Sequence, residues 1–302
     1  MKKAIKLILP LFLIGLIFTT QTIQGEYLVT VDSTFTYDVV ASDYNVTFGV
    51  NSAEVSGYEI DGHYFDDGTQ VILNVTEIDS LGITFNMSAG GYTEEFYDTT
   101  IATILEYSLL MLYPIIAIEQ IAFEEWNQND VEDNHLGVLM LPFISVNEST
   151  WNDLIQIADN IHTNGDFSYA TLVSGITMDA TYTNATDYFL FDFLLTANIN
   201  ETVDFMSKEA FLNTTINHKF QFAYSKDSGV MLGMRIKGSI SGFSNGTIFD
   251  IDYNYHTERE GYDLPAFALG GPTWPFPGFE YLLAIGALTS IVVLIPIIRK
   301  RK

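Results

Sequence analysis

The stretch from Lys219 to Ile240 reads KFQFAYSKDSGVMLGMRIKGSI. Phe220, Phe222 and Tyr224 alternate with Lys219, Gln221 and Ala223, and Leu232, Met234, Ile236 and Ile240 alternate with Met231, Arg235, Lys237 and Ser239. A period of two sends one set of side chains into a core and the other to solvent, so each half predicts a strand of an antiparallel sheet with one wet face. Lys226-Asp227-Ser228-Gly229 suits the hairpin between them. Ser244-Asn245-Gly246 marks the next turn, after which Phe249, Ile251, Tyr253 and Tyr255 alternate with Asp250, Asp252, Asn254 and His256. This meander is the clearest part of a strand pattern running from Phe167 to Thr257.

Before it lie two helical stretches. From Asp98 to Trp126, Ile101, Ile104, Leu105, Leu109, Leu112, Ile115, Ile116 and Ile118 leave only a thin polar stripe at helical spacing, which predicts a helix buried on most of its circumference. Pro114 is a kink or break in it. Its acidic flanks, and glycosylation triplets on both sides, favour a core helix over a membrane span. Thr150-Trp151-Asn152-Asp153 has the form of a helix start, with Trp151, Leu154, Ile155, Ala158 and Ile161 as one apolar face and Asn164-Gly165 as the stop. Further toward the N-terminus, strands are expected at Tyr27–Val31, Thr34–Val40, Tyr44–Val50, Tyr58–Ile60, Thr69–Ile78, Leu81–Ser88 and Tyr92–Tyr97, separated by turn-forming Asp and Gly. The expectation is one α+β domain, a curved antiparallel β-sheet wrapped on two helices.

The two ends have a different character. Met1-Lys2-Lys3-Ala4-Ile5-Lys6, apolar Leu7 to Phe18 and polar Thr19 to Gly25 have the three-part layout of a signal peptide over residues 1–25, or of an uncleaved N-terminal helix with the same topology. The body spans 26–262, a Pro/Gly-rich spacer 263–278, and an apolar run without charge after Glu280 completes a transmembrane helix over 279–298. Eighteen residues from Tyr281 to Ile298 reach about 27 Å, the thickness of a bilayer core. The basic tail Arg299, Lys300, Arg301 and Lys302 stays on the cytoplasmic side, leaving the bulk of the chain outside a cell membrane it crosses once.

Charge supports that division. All 38 acidic residues fall between Glu26 and Glu280, against six bases there, Lys208, Lys219, Lys226, Arg235, Lys237 and Arg259. So acidic a body excludes nucleic acid as a partner, because phosphate binding needs the opposite sign. Among 18 asparagines, eight begin Asn-x-Ser/Thr triplets: Asn45, Asn74, Asn86, Asn147, Asn184, Asn200, Asn213 and Asn245. Composition alone gives about three, so these are candidates for N-glycosylation outside the cytoplasm.

No catalytic, cofactor-binding or metal-binding set emerges. There are no cysteines, which removes thiol chemistry and Cys-based zinc sites. His63, His135, His162, His218 and His256 do not pair at ligand spacing. Gly238-Ser239-Ile240-Ser241-Gly242 carries Ile, not Ser, at its centre, and closes a strand where a nucleophile elbow would open a helix. The acid pairs Asp66-Asp67, Glu94-Glu95, Glu124-Glu125 and Glu132-Asp133 are unremarkable in so acidic a chain. The acidic loop 127–134 lacks the glycine and closing glutamate of an EF-hand.

Pro277, Gly278 and Phe279, followed by one apolar span and Arg299-Lys300-Arg301-Lys302, resemble the PGF-type C-terminal sorting signal of archaeal surface proteins. That resemblance implies an archaeosortase-type processing enzyme as a partner, which removes the span and attaches a lipid. Glu280 directly after the triplet, and no Thr-rich stretch before it, depart from the pattern, so the helix is either retained or replaced. The layout is also similar to uncharacterised archaeal ectodomains of the choice-of-anchor type, which share hairpins like Tyr224 to Leu232. The reading is a non-enzymatic, glycosylated, membrane-anchored surface protein with an envelope-structural or protein-binding role and envelope proteins as partners. The alternative is a membrane-tethered binder or carrier of a lipid or other apolar ligand, enclosed between sheet and helices.

Overall fold

Among the described residues, twelve strands and two helices form the body. The computed structural model describes residues 26–123, 140–164, 174–205 and 208–270, within a unit that ends at Leu269. In chain order the elements are β1 (Thr34–Phe48), β2 (Asn51–Ser56), β3 (Tyr58–Ile60), β4 (His63–Phe65), β5 (Gln70–Ile78), β6 (Gly82–Ala89), β7 (Tyr92–Thr99), α1 (Thr100–Phe123) and α2 (Glu148–Asn164), then β8 (Ile176–Asn184), β9 (Tyr188–Phe205), β10 (Lys208–Ser225), β11 (Met231–Ser244) and β12 (Thr247–Arg259). The signal segment, loop 127–134, His135 and everything from 271 onward, including Pro277, Gly278, Phe279 and Arg299–Lys302, lie outside the described residues.

The large sheet is antiparallel in the order β7-β6-β5-β1-β12-β11-β10-β9-β8, with β2 also on β1 and β3–β4 a separate hairpin. Its central joint is β1 against β12, in register from Tyr37↔Arg259 to Phe48↔Phe249. That pairing stitches the first meander to the last across more than 200 residues, and no disulfide assists it. β1 is one strand where two were expected, with Ser42 and Asp43 inside it and a bulge between Val39 and Ala41. Tyr27 to Val31 is not a strand. It is tied down instead by Val146 N–H to the Glu26 carbonyl (2.9 Å) and by the Tyr27 hydroxyl, which reaches Leu81 O and Thr100 (3.1 Å each).

The expected curvature is corrected. The sheet is α+β and packed against two helices, but it is open, neither curled nor closed, with β7 and β8 as its two ends. Curling a sheet takes repeated bulges or glycine kinks. Among the described pairings register shifts occur only at Val39/Ala41, Val75/Glu77 and Ala223/Tyr224. The β9–β10 ladder runs from Phe205↔Lys208 to Tyr188↔Ser225 without one.

The apolar face is covered by helices and by one extended segment. Tyr107 of α1 stacks on Phe222 of β10 at 4.1 Å between ring centroids, and Trp151 of α2 packs on Phe189 of β9 at 5.7 Å. Segment 140–146 crosses the same face: Ile144 N–H donates to Gly229 O (2.9 Å) and Met231 N–H to Pro142 O (2.8 Å). Phe143 there meets Phe35 and Phe85 edge-on. Tyr224 donates to the Leu141 carbonyl and shares a hydrogen bond with Tyr107, so two fully buried phenols find partners. α1 is long and apolar enough to cross a membrane, and half of that stretch is buried inside the fold. It runs through Pro114 without breaking.

The β10–β11 hairpin departs from simple alternation. Tyr224 pairs with Met231 across the bulge, so Met231 is buried in the core and Leu232 turns to the outer face. There Leu190, Ala223 and Leu264 make a small second apolar cluster.

Candidate functional site

All eight triplet asparagines are within the described residues. Asn45, Asn74, Asn184, Asn200, Asn213 and Asn245 are exposed; Asn86 and Asn147 are half-buried. Strand alternation does this in β1, β5, β6 and β10, where both neighbours of each asparagine are buried. Asn74 lies directly opposite Asn86, and Asn200 opposite Asn213. Asn147 precedes α2, and its carbonyl accepts from Thr150 N–H (3.0 Å), so the helix starts two residues before the expected cap. Asn245 is the turn residue with φ +46°, and Asn184 accepts from the Lys226 ammonium at 2.8 Å.

A cleft of about 530 Å³ opens where β6 and β7 meet the start of α1 and residues 140–142. Ile60, Phe85, Met87 and Phe96 line it together with Glu59, Asp61, Asp98 and Glu106. Of the four acids Asp98 alone is buried, at 8% exposure. It accepts from Thr103 Oγ1 (2.9 Å) and Phe143 N–H (3.3 Å), while Thr99 Oγ1 caps the helix by accepting from Ala102 N–H (3.1 Å). Burial raises its carboxyl to about 7 against the pull of those donors, with Glu106 adding like charge. Burial raises Glu106 also. The cleft wall therefore holds an exchangeable proton near neutral pH.

Under the helices the packing is close. The space among Ile104, Tyr107, Met111, Leu154, Phe191 and Phe222 amounts to about 10 Å³, less than a ligand needs.

The outer face carries a third arrangement. Residues 262–268 return over β9, β10 and β11, burying Leu264. Arg235 donates to Gln221 Oε1 and to Pro265 O (2.7 Å each) and lies 4.0 Å over the Phe267 ring. Asp192 accepts from Gln221 Nε2 (3.0 Å) and Ala268 N–H (3.3 Å), and Glu258 from Leu264 N–H (2.6 Å). The first part of the Pro/Gly-rich stretch is thus clasped to the sheet.

The histidines stay apart. His63 stacks on Tyr92, His162 pairs with Asp179 (2.7 Å) and His256 with Glu258 (2.8 Å). His218 is fully buried, with Nδ1 2.7 Å from the Tyr253 hydroxyl, and burial lowers it to about 3. The Leu110 backbone acts in the opposite sense, and Nε2 is buried without a hydrogen-bond partner. Pro114 leaves the Leu110 carbonyl without its helical donor. Gly238, in mid-strand, makes room for Tyr253: a Cβ there would stand 2.3 Å from its hydroxyl. Among the described residues no group of three or more His, Asp or Glu is placed to hold a metal ion.

Asp98 and the clasp were missed in the sequence. Asp98 carried a faint signal, an acid at the junction of a strand pattern and a helix pattern; the clasp carried none. No protein-family model matches the chain, and no curated protein matches it in sequence.

Proposed function

We propose that this chain is a membrane-anchored, N-glycosylated cell-surface protein of envelope-structural or protein-binding role, without catalytic activity. The observation that carries the reading is that none of the eight triplet asparagines is buried by the fold. A glycosyl transfer needs the amide in solvent, which the exposed Asn45, Asn74, Asn184, Asn200, Asn213 and Asn245 provide. The C-terminal span and basic tail supply the anchor in this reading, and the processing enzyme its alternative fate.

Intact-mass measurement of the protein from the membrane fraction, before and after deglycosylation, tests it. A mass that falls on deglycosylation is expected; an unchanged mass overturns the glycosylated reading. Loss of everything after Pro277-Gly278-Phe279 means processing, and retention of Arg299–Lys302 means a plain transmembrane anchor.

One observation favours a second reading, a tethered binder of an apolar ligand: the cleft walled by Ile60, Phe85, Met87 and Phe96. The filled space beneath α1 and α2 counts against a lipid enclosed there. Lipid extraction of the native protein followed by mass spectrometry separates the two, since a stoichiometric apolar molecule supports the binder and its absence removes it.

A further inference from the structure

At the other end of β10 and β11 from the clasp, the outer face exposes a group of large apolar side chains. Phe211 is 43% exposed, Phe243 37% and Ile248 68%. Scattered singly they would need no explanation, but the register makes them neighbours. Asn213 stands directly opposite Phe243, and Phe243 directly opposite Ile248. One step along, Phe211 N–H donates to Asn245 Oδ1 (2.8 Å) and Asn245 N–H to the Phe211 carbonyl (3.1 Å).

Two of the eight glycosylation triplets are therefore woven into the apolar group. Phe211-Leu212-Asn213-Thr214-Thr215 and Phe243-Ser244-Asn245-Gly246-Thr247 each place a phenylalanine two residues before the asparagine. Positions two apart on a strand share a face, so Asn213 has Phe211 beside it along β10 and Phe243 across the ladder. Opposite Cβ atoms lie about 5 Å apart and successive same-face ones about 7 Å, both within reach of a sugar on the asparagine. Thr215, the hydroxyl residue of the triplet, is exposed on the same face. The other acceptors on this face lack such a setting. Asn200 has Asn198 and Thr202 along its own strand, and Asn45 stands opposite Asp252 and Glu54.

The chemistry of the patch suits carbohydrate. A pyranose presents a face of C–H groups that packs on an aromatic ring, whose π-face is partly negative, while its hydroxyls keep to water. Phe211, Phe243, Ile248, Asn213 and Asn245 carry no charge in a body otherwise rich in acids, so a neutral, half-apolar occupant fits them. A protein partner would have to be shaped around Asn200, Asn213 and Asn245, whereas a sugar starts from one of them.

Resting on the glycosylated reading, we propose that the first sugar carried by Asn213 packs on the Phe243 ring with Phe211 at its side, so that carbohydrate completes the outer face of the sheet. It leans away from Asn200, directly opposite on β9, and leaves that acceptor its own space. The apolar area it covers outweighs the freedom it loses, so the modification stabilises the fold.

The test uses the full chain, isolated in mild detergent from the membrane fraction of cells that glycosylate it. Glycopeptide mass spectrometry reads occupancy at each asparagine, and far-ultraviolet circular dichroism follows thermal unfolding. Asn213→Gln and Thr215→Ala, which remove the triplet in different ways, should each lower Tm by about 2–4 °C, and Asn200→Gln by less than about 1 °C. In a Phe243→Thr background the loss from Asn213→Gln should vanish, as a double-mutant cycle requires of two groups that touch. Should Phe243→Thr not fold, proton resonances of the Asn213-linked sugar in the wild type decide instead: the ring current of Phe243 shifts them upfield of those on other asparagines. With Asn213 occupied, an unmoved Tm, an equal loss from Asn200→Gln, a loss that persists without Phe243, or no upfield shift overturns the packing and leaves glycosylation standing. An empty Asn213 in a chain glycosylated elsewhere also overturns the packing alone. A chain with no occupied asparagine overturns the glycosylated reading, and the packing with it.

Discussion

Replacing Asp98 with asparagine isolates the one carboxyl that the fold buries at the mouth of the cleft. In the folded chain its pKa is about 7, against an ordinary 3.8, a gap worth about 4 kcal/mol. The sign follows from the direction. A carboxyl raised on folding contributes stability that is complete below pH 3.8 and is lost as pH rises through about 7. Between pH 5 and pH 8 the wild type should lose about 2–3 kcal/mol through this group alone. Asparagine mimics the protonated acid and does not titrate. Its Oδ1 can accept from Phe143 N–H and its Nδ2 donate to Thr103 Oγ1, which then turns its own hydrogen to the Phe143 carbonyl, already 3.3 Å away. Allowing about 1 kcal/mol for poorer geometry, Asp98→Asn should be more stable than wild type by about 2–3 kcal/mol at pH 8, and equal or slightly weaker at pH 4.5. Urea denaturation of the full chain in mild detergent, followed by far-ultraviolet circular dichroism at both pH values, measures this. Other groups titrate in the window, so the quantity that decides is the variant-minus-wild-type difference at the two pH values. A variant weaker than wild type at pH 8, or a difference that does not change with pH, refutes the reasoning.

The remaining predictions probe the core and its ionisation. Gly238→Ala should destabilise by about 2–4 kcal/mol in the same urea assay, because the new Cβ meets the Tyr253 hydroxyl at 2.3 Å and the Asn217 carbonyl at 2.8 Å; a neutral result means that Tyr253 moves freely. Tyr224→Phe should cost about 1–2 kcal/mol, since it leaves the buried Leu141 carbonyl and Tyr107 hydroxyl short of a partner. In a histidine NMR titration, His218 should stay neutral down to about pH 4, because burial holds it near 3, whereas His162 beside Asp179 titrates above 6.5. Because a depressed histidine stabilises above its unfolded pKa, acidification from pH 6.5 toward 3 should weaken the fold through His218, opposite in sign to Asp98.

Period-two alternation carried most of the sheet, because a strand half in water records its two faces residue by residue. It placed Phe220, Phe222, Tyr253 and Tyr255 in the core and Asp250, Asp252 and Lys237 on the opposite face. It failed where the chain breaks that rule. The bulge opposite Tyr224 exchanges the faces of Met231 and Leu232, and the one at Val39/Ala41 lets Ser42 and Asp43 continue a strand that their residue types would end. Curvature was also illegible. Alternation fixes which face is buried but not how sharply a sheet bends, and the bulge-free β9–β10 ladder, a property of pairing, keeps it open.

The outer face shows the deeper reason why sites elude a single strand's pattern. Polar residues facing water look alike in sequence, whether they do nothing or form a unit. Arg235, Gln221 and Asp192 come from three strands and share a face only through register, and Pro265 and Ala268 join them from beyond the last strand. Without the returning segment, Leu190, Ala223 and Leu232 would leave an apolar spot on a wet face, and Arg235 would be one more surface cation. With it, Leu264 covers the spot, and the guanidinium is fixed over Phe267 by hydrogen bonds on two sides. The two parts therefore need each other: the outward-turned Leu232, a consequence of the bulge, explains why the tail settles there and not elsewhere along β11. Arg235→Ala should accordingly release the segment locally while leaving the sheet intact, read as faster amide exchange at Leu264 and Ala268 with unchanged protection in β10. Loss of protection throughout β10 and β11 would mean instead that the clasp supports the sheet itself.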